Sequence, residues 1–469
     1  MTTAREEYVD LLASMTKEQK QDLKPIPFDE LPMDAFTLHS IMQTIPKSVL
    51  ERNGPILRQI MKYNTLLKVN NGKPAVEKSE SIEVTPGLAR EISLSEISEI
   101  LSTSIKRDDA AKQITFLSML LAQTNSSQIN VGYQAESSSG KSYVPIELSN
   151  YFPELEVSLI ASASPTAFFH DKGDWNKETG TLTVNLEGKI LVFLDMPGYQ
   201  LLERLRPLLS HDKKILHYKI TDRSQKAGLR TKNVRVVGYP CVIFCSAKLD
   251  ADEQERTRMI LLSPSVDNDK LKESIRLASL KNSDPDTYND MIENDPARKW
   301  LIDRIKAIRQ SGIREVKISN HETLVLERFL SSHENLRARD QRDFPRIINL
   351  IKSHALLNCF NRNRVGDTIE ANQADIEAGF ALYSEIQQSN ELGLSPYVYG
   401  IYDEVLKPSL STTVGLDSKQ IQKKYYSVFH KALTSGALSD VLSQLQAANL
   451  VDLQPDPNDK RRNLVFKPD

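Results

Sequence analysis

The sequence predicts an α/β protein: a mostly parallel sheet covered by helices, then a helical subdomain and a small C-terminal module. Three observations lead there. Short apolar runs, "QINVGYQ", "VSLIASAS", "KILVFLD" and "YPCVIFCSA", alternate with helical stretches between residues 106 and 265. Such alternation requires crossover helices on both faces of a parallel sheet. The first run leads directly into "AESSSGKS" and then into the helix-forming "YVPIEL". After residue 265 the chain turns helical, and it closes as three helices, a strand, a charged turn and a strand.

Composition narrows the classes. The 469 residues leave room for several domains, and the net charge of −2 excludes a polycation. Any contact with nucleic acid must rest on local basic patches. Cys241, Cys245 and Cys359 form no C-x-x-C pair. Cys241 and Cys245 lie in an apolar run and are expected as buried thiols. An odd cysteine count, no signal peptide and no apolar run near the ~20 residues of a membrane span predict a cytoplasmic protein without membrane contact. Residues 1–105 are polar and helix-prone, broken by "LKPIPFDELPMD" and "NNGKPAVEKSESIEVTPG". They carry no chemistry and read as a docking region or collar.

The first strand opens a phosphate-binding loop. Strand, loop and helix follow in the order of G-x-x-x-x-G-K-[ST], with Ala135 in place of the first glycine. Backbone N–H groups of Ala135, Glu136, Ser137, Ser138, Ser139 and Gly140 would cradle phosphate oxygens. Lys141 would reach the β- and γ-phosphates, and the Ser142 hydroxyl would ligate Mg²⁺. The partner acid is Asp195, at the end of "KILVFLD". Met196 follows it, where many ATPases carry a glutamate that polarises water. Asp195 must then serve both roles, or another acid such as Glu203 must act, or hydrolysis is weak.

The same loop admits a second reading. Residues 195–198 also fit the GTPase D-x-x-G pattern, and residues 247–250 nearly fit N-K-x-D. Ala247 replaces the guanine-reading Asn, which argues against it.

The segment "HYKITDRSQKAGLRTKNVRVVGYPCVIFCSA" resembles a region of the minichromosome maintenance helicases, within the AAA+ ATPases. Lys226-Ala227-Gly228-Leu229 resembles that family's hairpin, and Ser246 stands at the polar sensor position, usually Asn. "QERTRMILLSP" is similar to the S-R-F-D-L segment, placing Arg258 as arginine finger and Thr257 before it. "QRDFPRIINLIKSHALL" resembles the lid helix, with Arg342 as its sensor arginine and Arg346 one turn away as a competitor. "ANQADIEAGFAL" resembles the final lid helix, capped by Asn372 or Asp375. The resemblance covers residues 106–469. Residues 1–105 depart from the cellular helicases, having no zinc-binding cysteine pairs, and look more like compact relatives from mobile elements.

The resemblance implies an ATP- and Mg²⁺-dependent DNA helicase or initiator acting as a ring, a homo-hexamer. Its boundaries would be an ATPase core at 106–265, a linker and lid at 266–390 and a winged helix at 391–469. Arg258 would complete a neighbour's site; whether Arg342 acts in cis or trans is open. Lys226, Arg230 and Lys232 would track a single strand of DNA in the channel, unless Arg223, Lys226, Arg230, Lys232 and Arg235 form an ordinary solvated hairpin. Lys460, Arg461 and Arg462 at the wing tip would meet a phosphate backbone; a wing that binds protein is the alternative. His170, His211 and His217 lack metal-ligand spacing. Trp175 lies in an insertion and reads as a packed tryptophan, or else as part of a pore or interface loop.

Overall fold

A computed structural model describes residues 82–135, 138–164, 173–176, 178–222, 230–246, 256–333, 336–337, 339–457 and 459–468, without side chains at 221–222, 230–231 and 460–461. Residues 83–469 belong to one compact unit. The expected helices before residue 82, and the positions Glu136, Ser137, His170, Lys226 and Ala247, lie outside the described residues.

The chain enters through α1 (Pro86–Ala89), α2 (Leu94–Leu101) and α3 (Asp109–Leu120). The core follows as β1 (Val131–Gln134), α4 (Tyr143–Ser149), β2 (Val157–Ile160), β3 (Asp174–Asn176), β4 (Thr181–Asn185), β5 (Ile190–Phe193), α5 (Tyr199–Leu209), β6 (Ile215–Asp222), β7 (Arg230–Val237), β8 (Cys241–Ser246) and β9 (Ile260–Leu262). Five of these strands form one sheet in the order β2-β5-β8-β1-β9, every pair parallel. All four apolar runs of the sequence are strands of this sheet. One differs from expectation. β2 is half-exposed rather than buried, with Leu159 51% exposed, because it is an edge strand with a single neighbour. An apolar run encodes extended structure but not position in the sheet.

"DDAAKQITFLSMLLAQT", whose pattern predicts an amphipathic helix, forms α3, but it is buried from Ile114 to Leu120 on every face. The helices α2 and α4 flank it, and a long helix of the following subdomain also covers it. A second sheet, β3-β4-β7-β6, stands beside the first and shares an apolar layer with it through Val234, Val236, Phe193 and Phe244.

Beyond the core run α6 (Asn268–Ser283), α7 (Pro285–Glu293), α8 (Pro296–Gln310), α9 (Glu327–Ser331), α10 (Asp340–Leu357), α11 (Gln373–Ser384) and α12 (Gln387–Glu391). This stretch is helical as expected, except for a small sheet made by β10 (Glu315–Lys317), β11 (Arg364–Val365) and β12 (Thr368–Glu370). Asn372 caps α11 and Asp375 returns a bond to the cap, so both expected residues act as one capping box. The helices α10 and α11 touch at Gly379. A Cβ there would lie 2.8 Å from the Ile351 backbone nitrogen. Gly379→Ala is therefore expected to destabilise the protein by about 1–3 kcal/mol through overpacking, read as a lowered urea midpoint.

The C-terminal module consists of α13 (Pro396–Ile401), α14 (Ser418–Phe429) and α15 (Ser435–Ala447), then the antiparallel pair β13 (Asp452–Asp456) and β14 (Asp459–Phe466). It has its own apolar core, centred on Val398, Ile421, Leu445 and Val465. Among the described residues no helix is long and apolar enough to cross a membrane.

Candidate nucleotide site and its two edges

β1, the loop and α4 place the glycine-lysine turn at the C-terminal edge of the parallel sheet. Gly140 has φ +95°, a conformation that side chains resist, so glycine is required there. Ser138 also takes a positive φ of 66°. Ala135, in place of the first glycine, is buried. Positive φ at Ser138 and Gly140 bends the described part of the loop ahead of the helix, as in backbone turns that bind anions.

The sheet register brings the other candidates to this edge. Gln134 is paired with Ser246, and Phe193 with Phe244. Ser246 ends β8 two residues past that pair, and Asp195 follows the last residue of β5 by two at the same edge. Because β8 lies between β1 and β5, Ser246 stands between the loop and Asp195. One Asp195 oxygen accepts the N–H of Met196 at 2.8 Å. That bond caps the turn after β5 with one oxygen of the carboxylate and does not engage the other.

Sequence reasoning treated Cys245 only as a buried thiol. It is the floor of this site. Its Sγ donates to the Lys141 carbonyl at 3.5 Å. Burial pushes the thiol up to about 12, opposed by a hydrogen bond to Ser142 and by the nearby Lys141 charge, while Asp195 adds to the rise. Cys245 thus lies close to Lys141, Ser142 and Asp195. The period-2 alternation of the strand carried the signal: Cys241, Ile243 and Cys245 share one face.

A cavity of about 230 Å³ opens beside the loop. Ile105, Tyr143, Leu271 and Tyr288 supply apolar and aromatic walls, and Ser138, Ser139 and Gly140 one end. Asp108 on its wall is already engaged: Lys270 pairs with it, and the Ser265 N–H and hydroxyl bond to it at 2.7 and 3.0 Å.

Arg258 and Arg342 lie at the other edge. Arg258 precedes β9, whose Ile260 pairs with Val131 at the start of β1. Four residues at about 3.3 Å each separate this edge from the loop. The two arginines line one polar cleft of about 340 Å³, with Gln128, Asn130, His211 and Asp212. Arg258 donates from Nε to Ser210 Oγ at 2.6 Å. Arg342 is exposed and bonds the Thr257 hydroxyl. Arg346, the competitor one turn away, lines the same cleft but has structural partners. It is buried, ion-paired with Asp343, and donates to the Thr257 and Met259 carbonyls at 2.8 Å each, while burial pushes its guanidinium down to about 10.

His211 lies in the same cleft with φ +55°, its ring 5.0 Å from Tyr239. Burial lowers its pKa to about 4, with Asp212 opposing. The unfolded chain then binds the proton more readily, so this stability is full above about pH 6.5 and is lost as pH falls toward 4. The expected loss is about 3 kcal/mol at most, from roughly 1.4 kcal/mol per pKa unit. Urea unfolding against pH should show it, and His211→Asn, which tolerates a positive φ, should flatten that window.

The candidate nucleic-acid residues are not gathered in one place. Lys232 lies on β7; Arg230 begins that strand; Lys226 lies outside the described residues. Lys460 and Arg461 fall on β14, at the hairpin tip, and Arg462 is 3.4 Å from Asp459. The helix α15 touches the core: Gln444 Oε1 accepts from Gln134 Nε2 at 3.3 Å and from Arg256 at 3.5 Å. Gln134 is the last residue before the loop. Ser263 Oγ donates to the Gln134 carbonyl at 2.6 Å and accepts the Tyr397 N–H at 3.0 Å. Asn390 also bonds both backbone groups of Leu261 on β9. The C-terminal module is thereby fastened to the root of the loop. Compared with known proteins, the chain matches no protein-family model and no curated protein.

Proposed function

We propose that the protein is an ATP hydrolase of the AAA+ type, resembling the minichromosome maintenance helicases, which works on DNA as a ring of identical subunits. One observation carries the reading. Lys141, Ser142, Asp195 and Ser246 meet at one edge of the sheet, while Arg258 and Arg342 occupy the opposite edge. The length of β1 lies between both arginines and their own subunit's loop. Both suit a loop presented by a neighbour, so the site is complete only between subunits.

In this reading the loop N–H groups hold the β- and γ-phosphates, and Lys141 offsets their charge. Ser142 and Asp195 supply the oxygens a Mg²⁺ ion would take, an ion that neutralises charge developing on the phosphates. Ser246, between loop and carboxylate, is placed to orient water. The neighbour's Arg258 stabilises charge on the transferring group, and Arg342 ties α10 to it. The cavity walled by Ile105, Tyr143 and Tyr288 would take the base. Its one described carboxylate, Asp108, is already engaged by Lys270 and Ser265. The C-terminal module reads as a winged helix, and the subdomain carrying α10 and α11 as the lid.

A second reading keeps a specific observation in its favour. Gln444 and Ser263 connect the C-terminal module to the root of the loop. With Met196 after Asp195, this suits a nucleotide-regulated DNA-binding protein that does not unwind. ATP turnover measured with and without single-stranded DNA, against protein concentration and beside GTP, separates them. Turnover that rises with DNA and with assembly supports the helicase ring. ATP binding with negligible turnover supports the switch, and a preference for GTP rejects both.

A further inference from the structure

Trp175 is not the packed tryptophan that its type suggests. It is 49% exposed on β3, the edge strand of the second sheet. That strand is held closely in place: a Cβ on Gly173 would lie 2.3 Å from the Thr183 carbonyl oxygen. The register sets its surroundings. Trp175 is paired with Leu182, and Leu182 with Val234, so the three share a face. Lys232, two residues before Val234, shares that face, and its ammonium lies 5.5 Å from the indole centroid. An aromatic plane and a cation thus stand together at the open end of an otherwise apolar layer. The strand that carries Lys232, β7, also carries Arg235, on its opposite face, and no acidic residue.

We propose that Trp175 is a stacking platform for an unpaired base of single-stranded nucleic acid, with Lys232 neutralising the adjoining phosphate. The chemistry selects this partner. A half-exposed indole offers a π-face to any base, whereas bases inside a duplex have their faces covered. A lysine against the ring binds phosphate as a point charge and reads no sequence. The inference rests on the reading of the protein as DNA-acting, and adds the residue that grips the base.

The chain has two tryptophans, and Trp300 bonds the Gly87 carbonyl at 3.0 Å away from this sheet. Trp300→Phe therefore leaves Trp175 as the reporter. Titration of the full chain with oligo(dT) is expected to quench its emission. Trp175→Ala is expected to weaken oligo(dT) binding by about 5- to 150-fold without changing the salt slope. Trp175→Phe, which keeps a ring, should retain most of the affinity. Lys232→Gln should lower the slope of log K against log salt by about 0.7. Unquenched Trp175 emission, with Trp175→Ala binding oligo(dT) as tightly as the parent, would overturn the stacking site and leave the DNA-acting reading intact. Emission that responds to protein concentration but not to oligo(dT) would assign Trp175 to a contact between copies and also overturn it. Absence of oligo(dT) binding by anisotropy at low salt would overturn both.

Discussion

Lys141→Ala is expected to abolish nucleotide binding, whereas Arg258→Ala should bind ATP normally and lose turnover by about 10³–10⁵-fold. The two residues differ because they belong to different edges. Lys141 sits in the turn opened by Gly140, above Cys245, and its charge has no substitute within that turn. Arg258 lies at the opposite end of β1, bonded to Ser210 in the polar cleft. Mixing the two variants tests the arrangement directly. A mixed assembly contains interfaces that pair an intact loop with an intact arginine, so part of the turnover should return. Equilibrium binding of a fluorescent ATP analogue and steady-state phosphate release measure the two properties separately. If no mixing ratio restores activity, the shared site is wrong, even should both single variants behave as expected.

The second large effect separates two arginines one helical turn apart on α10. Arg342→Ala is expected to leave stability within about 0.5 kcal/mol, as for an exposed substitution, and to reduce turnover by about 10²–10³-fold, the cost of losing one charge-stabilising donor. Arg346→Ala should do the reverse in kind. It removes a buried guanidinium from Asp343 and from the carbonyls of Thr257 and Met259. Leaving those groups uncompensated costs about 3–5 kcal/mol, so the urea midpoint should fall steeply. Arg339 still bonds Asp343 at 3.0 Å and keeps that carboxylate from being wholly unpaired, which places the loss at the lower end. Equal destabilisation by both variants would mean that Arg342 is a strut as well, and its role on a neighbour's nucleotide would be lost.

These effects mark where one-dimensional reading succeeds. The four apolar runs specify strands because β-branched and apolar residues in short blocks, set between turn formers, suit a sheet buried on both faces. The "GKS" turn is legible because φ above zero needs glycine at position 140 and a helix must follow. Asn372 and Asp375 together announce the start of α11, since a capping box is a local bond pattern. The hairpin that ends the chain is legible for the same reason, its two strands being joined by a short charged turn.

The rest required long-range contacts. Arg342 and Arg346 look alike in sequence, and only the approach of residues 257–259 to α10 makes one a buried strut and the other an exposed cation. Cys245 becomes the floor of the site because β8 is inserted between β1 and β5, an order that no local pattern specifies. Trp175 is half-exposed because its strand is at an edge, and edge position depends on which strands find partners. Local bonding is settled within a few residues of chain; strand order, burial and the pairing of charges depend on parts of the chain more than a hundred residues apart, as Gln134 and Gln444 are. Short-range pattern was enough for the four apolar-run strands, the glycine-lysine turn and the α11 cap. The tertiary structure decided which charges face the loop and which face away, because a charge takes its role from the partners and solvent that folding leaves it.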